Sequence, residues 1–153
     1  MKMGQRRKSE LSDMTLLATL HDIGKLTVPF YMLRKKGTLN NNEWAIMRQH
    51  CEAGFKIASN MIEGSTVADG ILYHHEHWDG NGYPYGLSGE RIPLFSRIVA
   101  VADAYDVMTR PKPYGKLHTR EEALEEMKRC AGKQFDPKVV EALLDVDFDT
   151  LDI

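Results

Sequence analysis

Five of the six histidines in this 153-residue chain fall in three short motifs, and any fold it adopts has to account for that grouping. The motifs are His21-Asp22-Ile23-Gly24-Lys25, a lone His50, and His74-His75-Glu76-His77. A carboxylate follows at Asp103, inside the apolar run Ile98-Val99-Ala100-Val101-Ala102. Chance would scatter six histidines rather than group five beside acidic partners. Neutral imidazoles and carboxylates suit iron, manganese, zinc or nickel. A metal-dependent hydrolase is therefore expected before any fold is considered.

The chain is 42% hydrophobic and 27% charged, which suits one globular domain over residues 1–153 with a sizeable core. A net charge of −2 supplies no global basic field for DNA or other nucleic acid. Cys51 and Cys130 have no CxxC or framework spacing, so both are expected reduced, as in the cytoplasm. No apolar run approaches the ~20 residues of a membrane span. Residues 1–8 are basic, lack a following apolar stretch and are expected to be a flexible lead-in rather than a signal peptide.

The pattern reads all-α. Ser9 is positioned to cap a helix from about Glu10 to Asp22, with Leu16, Leu17, Leu20 and Ile23 on its apolar face and Gly24 ending it. Asn40 and Glu43 have the form of a capping box for a helix reaching about Asn60, with Trp44, Met47, Phe55 and Ile57 as core candidates. A helix from Ser65 is expected to carry His74 and His75 in its last turn. The segment Asp79-Gly80-Asn81-Gly82-Tyr83-Pro84-Tyr85-Gly86 is too rich in turn residues for a helix and predicts a long loop. Pro93 opens an apolar helix over about Leu94–Thr109. Thr119 with Glu122, and Asp136 with Pro137, open two more.

Adjacent helical positions differ by about 100° in direction, so neighbouring residues can grip an ion from two sides. His21 with Asp22, and His74 with His75, are such pairs. Asp22, with two oxygens, can also bridge two ions. Asp103 on an apolar helix would be costly to bury unpaired, and a metal removes that penalty. Asp106 lies close along the same helix and is a candidate substrate contact or support for a ligand. Lys25 beside a cationic centre calls for an anion between them, which suits a phosphate.

These motifs resemble the HD-GYP branch of the HD metallohydrolase superfamily. The resemblance rests on Leu20-His21-Asp22-Ile23-Gly24-Lys25, His50 with Gly54, and the run from His74-His75-Glu76-His77-Trp78-Asp79 through Gly80-Asn81-Gly82-Tyr83-Pro84. It extends to Ile92-Pro93, Arg97-Ile98, Asp103, Asp106, Pro113-Tyr114 and Phe135-Asp136-Pro137. It implies a helical bundle holding two divalent metal ions, iron or manganese first, with zinc, nickel or magnesium as alternatives. Their ligands would be His21, Asp22, His50, His74, His75 and Asp103, with Asp22 bridging. It also implies hydrolysis of cyclic di-GMP to pGpG and GMP by a metal-activated hydroxide. Lys25, Asp106, Lys112 and Tyr83 are then expected at the substrate. Gly82, Tyr83 and Pro84 would face a diguanylate cyclase (GGDEF) partner.

The chain departs from that pattern in places. The family sets a His-bearing helix ahead of the HD motif, and here no histidine precedes His21. The domain is therefore expected to be N-terminally truncated, with one metal position weakened and exposed core surface favouring a homodimer. Lys112 stands for a phosphate-contacting arginine, keeping charge but losing the bidentate fork. Cys51 stands where proline is usual. The contrary reading is a catalytically impaired module for protein interaction or nucleotide sensing.

Overall fold

A computed structural model of the chain describes residues 2–61, 65–111 and 117–150, and over them it is all-α, with no strand. The first helix, α1, spans Lys2–Leu20, so residues 2–8, expected as a lead-in, belong to it. Lysine, methionine, glutamine and arginine are good helix formers, and they carry the helix through Ser9 without a cap there. His21 and Asp22 follow in a turn, and a 3-10 helix covers Ile23–Thr27. A one-turn helix, α2, covers Phe30–Leu33.

The helix expected from Asn40 to Asn60 is two, α3 at Asn41–Arg48 and α4 at His50–Met61. The Gln49 amide donates to Ile46 O, a tightened turn that separates them and makes His50 the first residue of α4. The capping box at Asn40 forms in both directions: the Glu43 amide donates to Asn40 Oδ1 at 2.9 Å, and the Asn40 amide donates to Glu43 Oε2 at 2.8 Å. Trp44, expected in the core, is 44% exposed, because the short α3 packs on little besides α4.

α5 covers Ser65–Tyr73, and His74 and His75 lie in the turn after it rather than inside it. α6 covers Leu94–Thr109, as its proline start and apolar run predict. α7 covers Arg120–Cys130 behind the Thr119–Glu122 capping box. α8 covers Pro137–Leu144, with Asp136 Oδ1 accepting from the Lys138 amide at 2.8 Å. Pro113–Tyr114 and Lys112 lie outside the described residues.

Two buried clusters share α6. Leu17, Ala58, Val67, Ala68, Ile71 and Val99 form one, and Val101, Met127, Phe135 and Val140 form the other. Val99 and Val101 are two positions apart, which turns them to opposite sides of the helix. Each fully buried Leu or Ile side chain here contributes about 1.5–3 kcal/mol. Leu17 on α1 seats over Gly70 on α5, where a Cβ would meet its methyl group at 2.4 Å. Arg97 ties the start of α8 to the segment ahead of α6: Nη1 donates to Asp136 Oδ2 at 2.5 Å, and Nε donates to Ile92 O at 2.9 Å.

Candidate metal centre

Four separate segments deliver donor atoms to one place, and close backbone packing brings two of them together. Gly24 lies against α4 with no room for a side chain: a Cβ there would meet His50 O at 1.8 Å and the Gly54 amide nitrogen at 2.6 Å. Gly54 in turn lies against Gly24 and Ile71. The two glycines let the turn bearing His21 and Asp22 sit on the start of α4, next to His50.

Three of the imidazoles are aimed by the same local device. Nδ1 of His21, His50 and His74 contacts the carbonyl three residues earlier, at Ala18, Met47 and Ile71, at 2.8, 2.7 and 2.7 Å. A carbonyl only accepts, so Nδ1 carries the proton and Nε2 of each ring presents a lone pair. Those lone pairs converge on Asp22. Its Oδ1 lies 3.5 Å from His50 Nε2 and 3.9 Å from His74 Nε2. Its Oδ2 lies 3.7 Å from His21 Nε2 and pairs with Lys25 Nζ. His21 Nε2 is also 3.6 Å from Asp103 Oδ1, which comes from the middle of α6.

Acceptors therefore face acceptors. His21 Nε2 and Asp22 Oδ1 are buried atoms with no hydrogen-bond partner. An unsatisfied buried group costs about 1–3 kcal/mol, and a cation among these atoms would satisfy all of them. The donor set fits a divalent transition ion. Asp22, with one oxygen toward His50 and His74 and the other toward His21, is shaped to serve two.

The electrostatics agree. Burial drives the His74 pKa down to about 4 and the His75 pKa down to about 2, with neighbouring imidazoles adding to both. Burial lowers His50 as well. These rings are neutral at physiological pH, the form that coordinates metal. His21 goes the other way, raised by its contact with Asp103, whose own pKa His21 lowers.

His75 takes its place by stacking. Its ring lies 4.0 Å from that of His74 and 4.8 Å from Tyr83, centroid to centroid, the latter nearly parallel at 28°. Gly82 makes this possible, since a Cβ there would meet the His77 amide nitrogen at 2.2 Å. The Tyr83 amide donates to His75 O at 3.1 Å, and burial raises the pKa of its phenol. The loop carrying Gly82, Tyr83 and Pro84 is thus folded back onto the histidine doublet. Its stem is pinned to the segment before α8, where the Trp78 and Asp79 amides donate to Gln134 O and Lys133 O.

Two residues at the site escape sequence reasoning. Glu76, 3% exposed, accepts from the Tyr85 amide at 2.8 Å and the Leu87 amide at 3.0 Å, holding the loop closed. Cys51 is fully buried, with Sγ 3.6 Å from His50 Nε2, and burial pushes its thiol up to about 12. His50, Cys51, His74 and His75 place one donor atom each within 4.8 Å of one another. A cysteine beside a site histidine is visible in the sequence, but its side chain's direction is not.

Of the remaining expected residues, Asp106 lines a cleft of about 500 Å³ with His21, Asp22 and Asp103, and pairs with Arg110 at 3.0 Å. Lys25 pairs with Asp22 rather than standing apart from it. No helix among the described residues is long and apolar enough to cross a membrane.

Known proteins share this arrangement of sequence. A family profile described as HD domain matches residues 2–139. The chain is 40% identical over 148 residues to a cyclic di-GMP phosphodiesterase of Thermotoga maritima, covering 94% of this chain and 39% of that protein. It is 39% identical over 142 residues to the cyclic di-GMP phosphodiesterase response regulator RpfG of Xanthomonas campestris, covering 90% and 37%. Among solved structures, a cyclic GMP-AMP-specific phosphodiesterase of Vibrio cholerae (V-cGAP3) superposes with a TM-score of 0.69 at 30% identity, covering 91% of this chain and 39% of that one. The chain spans about two fifths of the length of these relatives. With a profile match over most of its length and a helical fold shared with V-cGAP3, the chain belongs to the HD domain family, in its HD-GYP branch.

Proposed function

We propose that this chain is the catalytic domain of a metal-dependent phosphodiesterase that opens cyclic di-GMP. The observation that carries the reading is the convergence of the Nε2 atoms of His21, His50 and His74 on the Asp22 carboxylate. His21, Asp22 and Asp103 would hold one ion, and His50, His74 and His75 a second, with Asp22 shared. The nitrogen and oxygen donors support iron or manganese. When bound, such ions supply Lewis acidity, lowering the pKa of water and neutralising charge on a phosphate.

The chain's own residues position the substrate. Lys25 Nζ, held by Asp22 at the edge of the site, offers a cation to a non-bridging phosphate oxygen. Asp106 lines the cleft beside the ligands and keeps Arg110 at its rim, a second cation for the substrate's other phosphate. Tyr83 braces His75 by stacking and covers one side of the centre. Lys112 is proposed as a further phosphate contact.

The loop at Gly82, Tyr83 and Pro84 is proposed to meet GGDEF domains, a reading supported by Tyr85 standing 60% exposed on it. Pairing with a second copy is supported by Leu11 and Leu16 exposed along α1, at 73% and 37%. The two free cysteines support a cytoplasmic setting.

The test is metal analysis of anaerobically purified protein, followed by turnover of cyclic di-GMP and of 3'3'-cGAMP. Two ions per chain and a linear dinucleotide product are expected. Asp22→Asn should lower turnover about 10³-fold or more. A fully loaded protein that opens neither dinucleotide would overturn the proposal.

A further inference from the structure

His50 and Cys51 open α4, and both reach the centre. Cys51 Sγ lies 3.6 Å from His50 Nε2, and His50 Nε2 lies 3.5 Å from His74 Nε2. Around one tetrahedral ion, metal–nitrogen bonds of about 2.0–2.1 Å and a metal–sulfur bond of about 2.3 Å put a sulfur and a nitrogen about 3.6 Å apart, and two nitrogens about 3.4 Å apart. Two of the donor separations in the protein match those edges, and all four donor atoms lie within 4.8 Å of one another.

A packing role for the cysteine does not account for its surroundings. Nδ1 of His50 and of His74 is spent on a backbone carbonyl, so both Nε2 atoms are acceptors. Asp22 Oδ1, 3.5 Å from His50 Nε2, is a third acceptor and has no hydrogen-bond partner. One thiol proton cannot satisfy three converging lone pairs, while a cation can. The sulfur is completely buried, which also removes it from reach of solvent oxidants.

We propose that Cys51 is a metal ligand, and that Sγ joins Nε2 of His50, Nε2 of His74, a ring nitrogen of His75 and the shared Asp22 at a sulfur-bearing position for a divalent transition ion. The inference rests on the reading that this centre holds metal. On binding, the sulfur–metal bond forms as the thiol proton leaves to solvent, and no electron changes hands. The two positions are then chemically unlike. The one at Cys51 is soft and favours zinc, cobalt or iron, while the one at His21, Asp22 and Asp103 has only nitrogen and oxygen donors and accepts manganese or magnesium.

Cobalt(II) tests this in the full chain. Metal-stripped protein titrated with cobalt should develop a near-ultraviolet sulfur-to-cobalt charge-transfer band with the first equivalent. Cys51→Ser and Cys51→Ala should lose the band and bind that equivalent at least 10-fold more weakly, while Cys130→Ser keeps it. If neither Cys51 variant folds, X-ray absorption of the unaltered protein decides, with a Co–S scatterer at about 2.3 Å expected. Cobalt bound without a charge-transfer band or a sulfur scatterer overturns the assignment of Cys51 and leaves the metal centre standing. Failure to bind cobalt, zinc, iron or manganese at all overturns both.

Discussion

The carbonyl oxygen of His50 occupies the space that a side chain on Gly24 would need, 1.8 Å from where its Cβ would lie. The neighbour is backbone of α4, so it cannot swing aside. Any larger residue at position 24 must push the HD turn off that helix, and Asp22 moves away from His50 with it. Gly24→Ala should therefore cost about 3 kcal/mol or more in urea denaturation and should weaken metal binding. Gly89→Ala is the control. That glycine has φ of 59° with nothing near its Cβ position, so only backbone strain of about 1–2 kcal/mol is expected. Equal losses at the two positions would contradict the packing argument.

Glu76 holds the loop over the histidine doublet through the amides of Tyr85 and Leu87. Glu76→Gln sets an amide donor against one of those N–H groups. A loss of about 2–4 kcal/mol is expected, with faster hydrogen exchange at Tyr85 and Leu87. The Tyr83–His75 stack should loosen in turn and raise KM more than it lowers kcat. Unchanged exchange at both amides would rule out the clamp.

Stability of the metal-free protein should fall as the solution is acidified. Unfolded imidazoles titrate near 6.5, whereas His74 titrates near 4, His75 near 2, and His50 is also lowered. Below 6.5 the unfolded chain therefore binds protons that the folded chain refuses, and stability rises with pH there. The contribution is fully present above 6.5 and is lost as pH drops, toward 4 for His74 and toward 2 for His75. His21 is raised and acts in the opposite sense, one ring against three. One ring kept neutral is worth about 1.4 kcal/mol per pH unit, and 1 kcal/mol is about 2–4 °C of Tm for a chain of this size. Melts of chelator-treated protein at pH 7.5, 6 and 5 should show Tm falling little from 7.5 to 6 and by several degrees from 6 to 5. A flat or rising Tm would show that the rings are not buried neutral.

Much of this molecule is written locally in its chain. The capping boxes at Asn40–Glu43 and Thr119–Glu122, the cap at Asp136 and the full extent of α6 follow from residues within one turn of each boundary. Caps and the 3.6-residue period are short-range, so they survive without knowledge of the partner helices. The helical class and the chemical type of the donors are legible for the same reason.

What the chain alone leaves open is direction. Nothing near Trp44 says that its helix will lack a cover. Cys51 reads as a small buried residue and Glu76 as one acid among several, yet packing turns both inward. Lys25 reads as a cation that calls for a phosphate between it and the centre, and it is found on Asp22. Residue order sets most of the helices and the types and spacing of the ligands, because propensity and period act within a few residues. That lone pairs 28 and 52 residues away in the chain meet at the Asp22 carboxylate is settled by packing, because it depends on glycine-sized contacts between segments that are strangers in the chain.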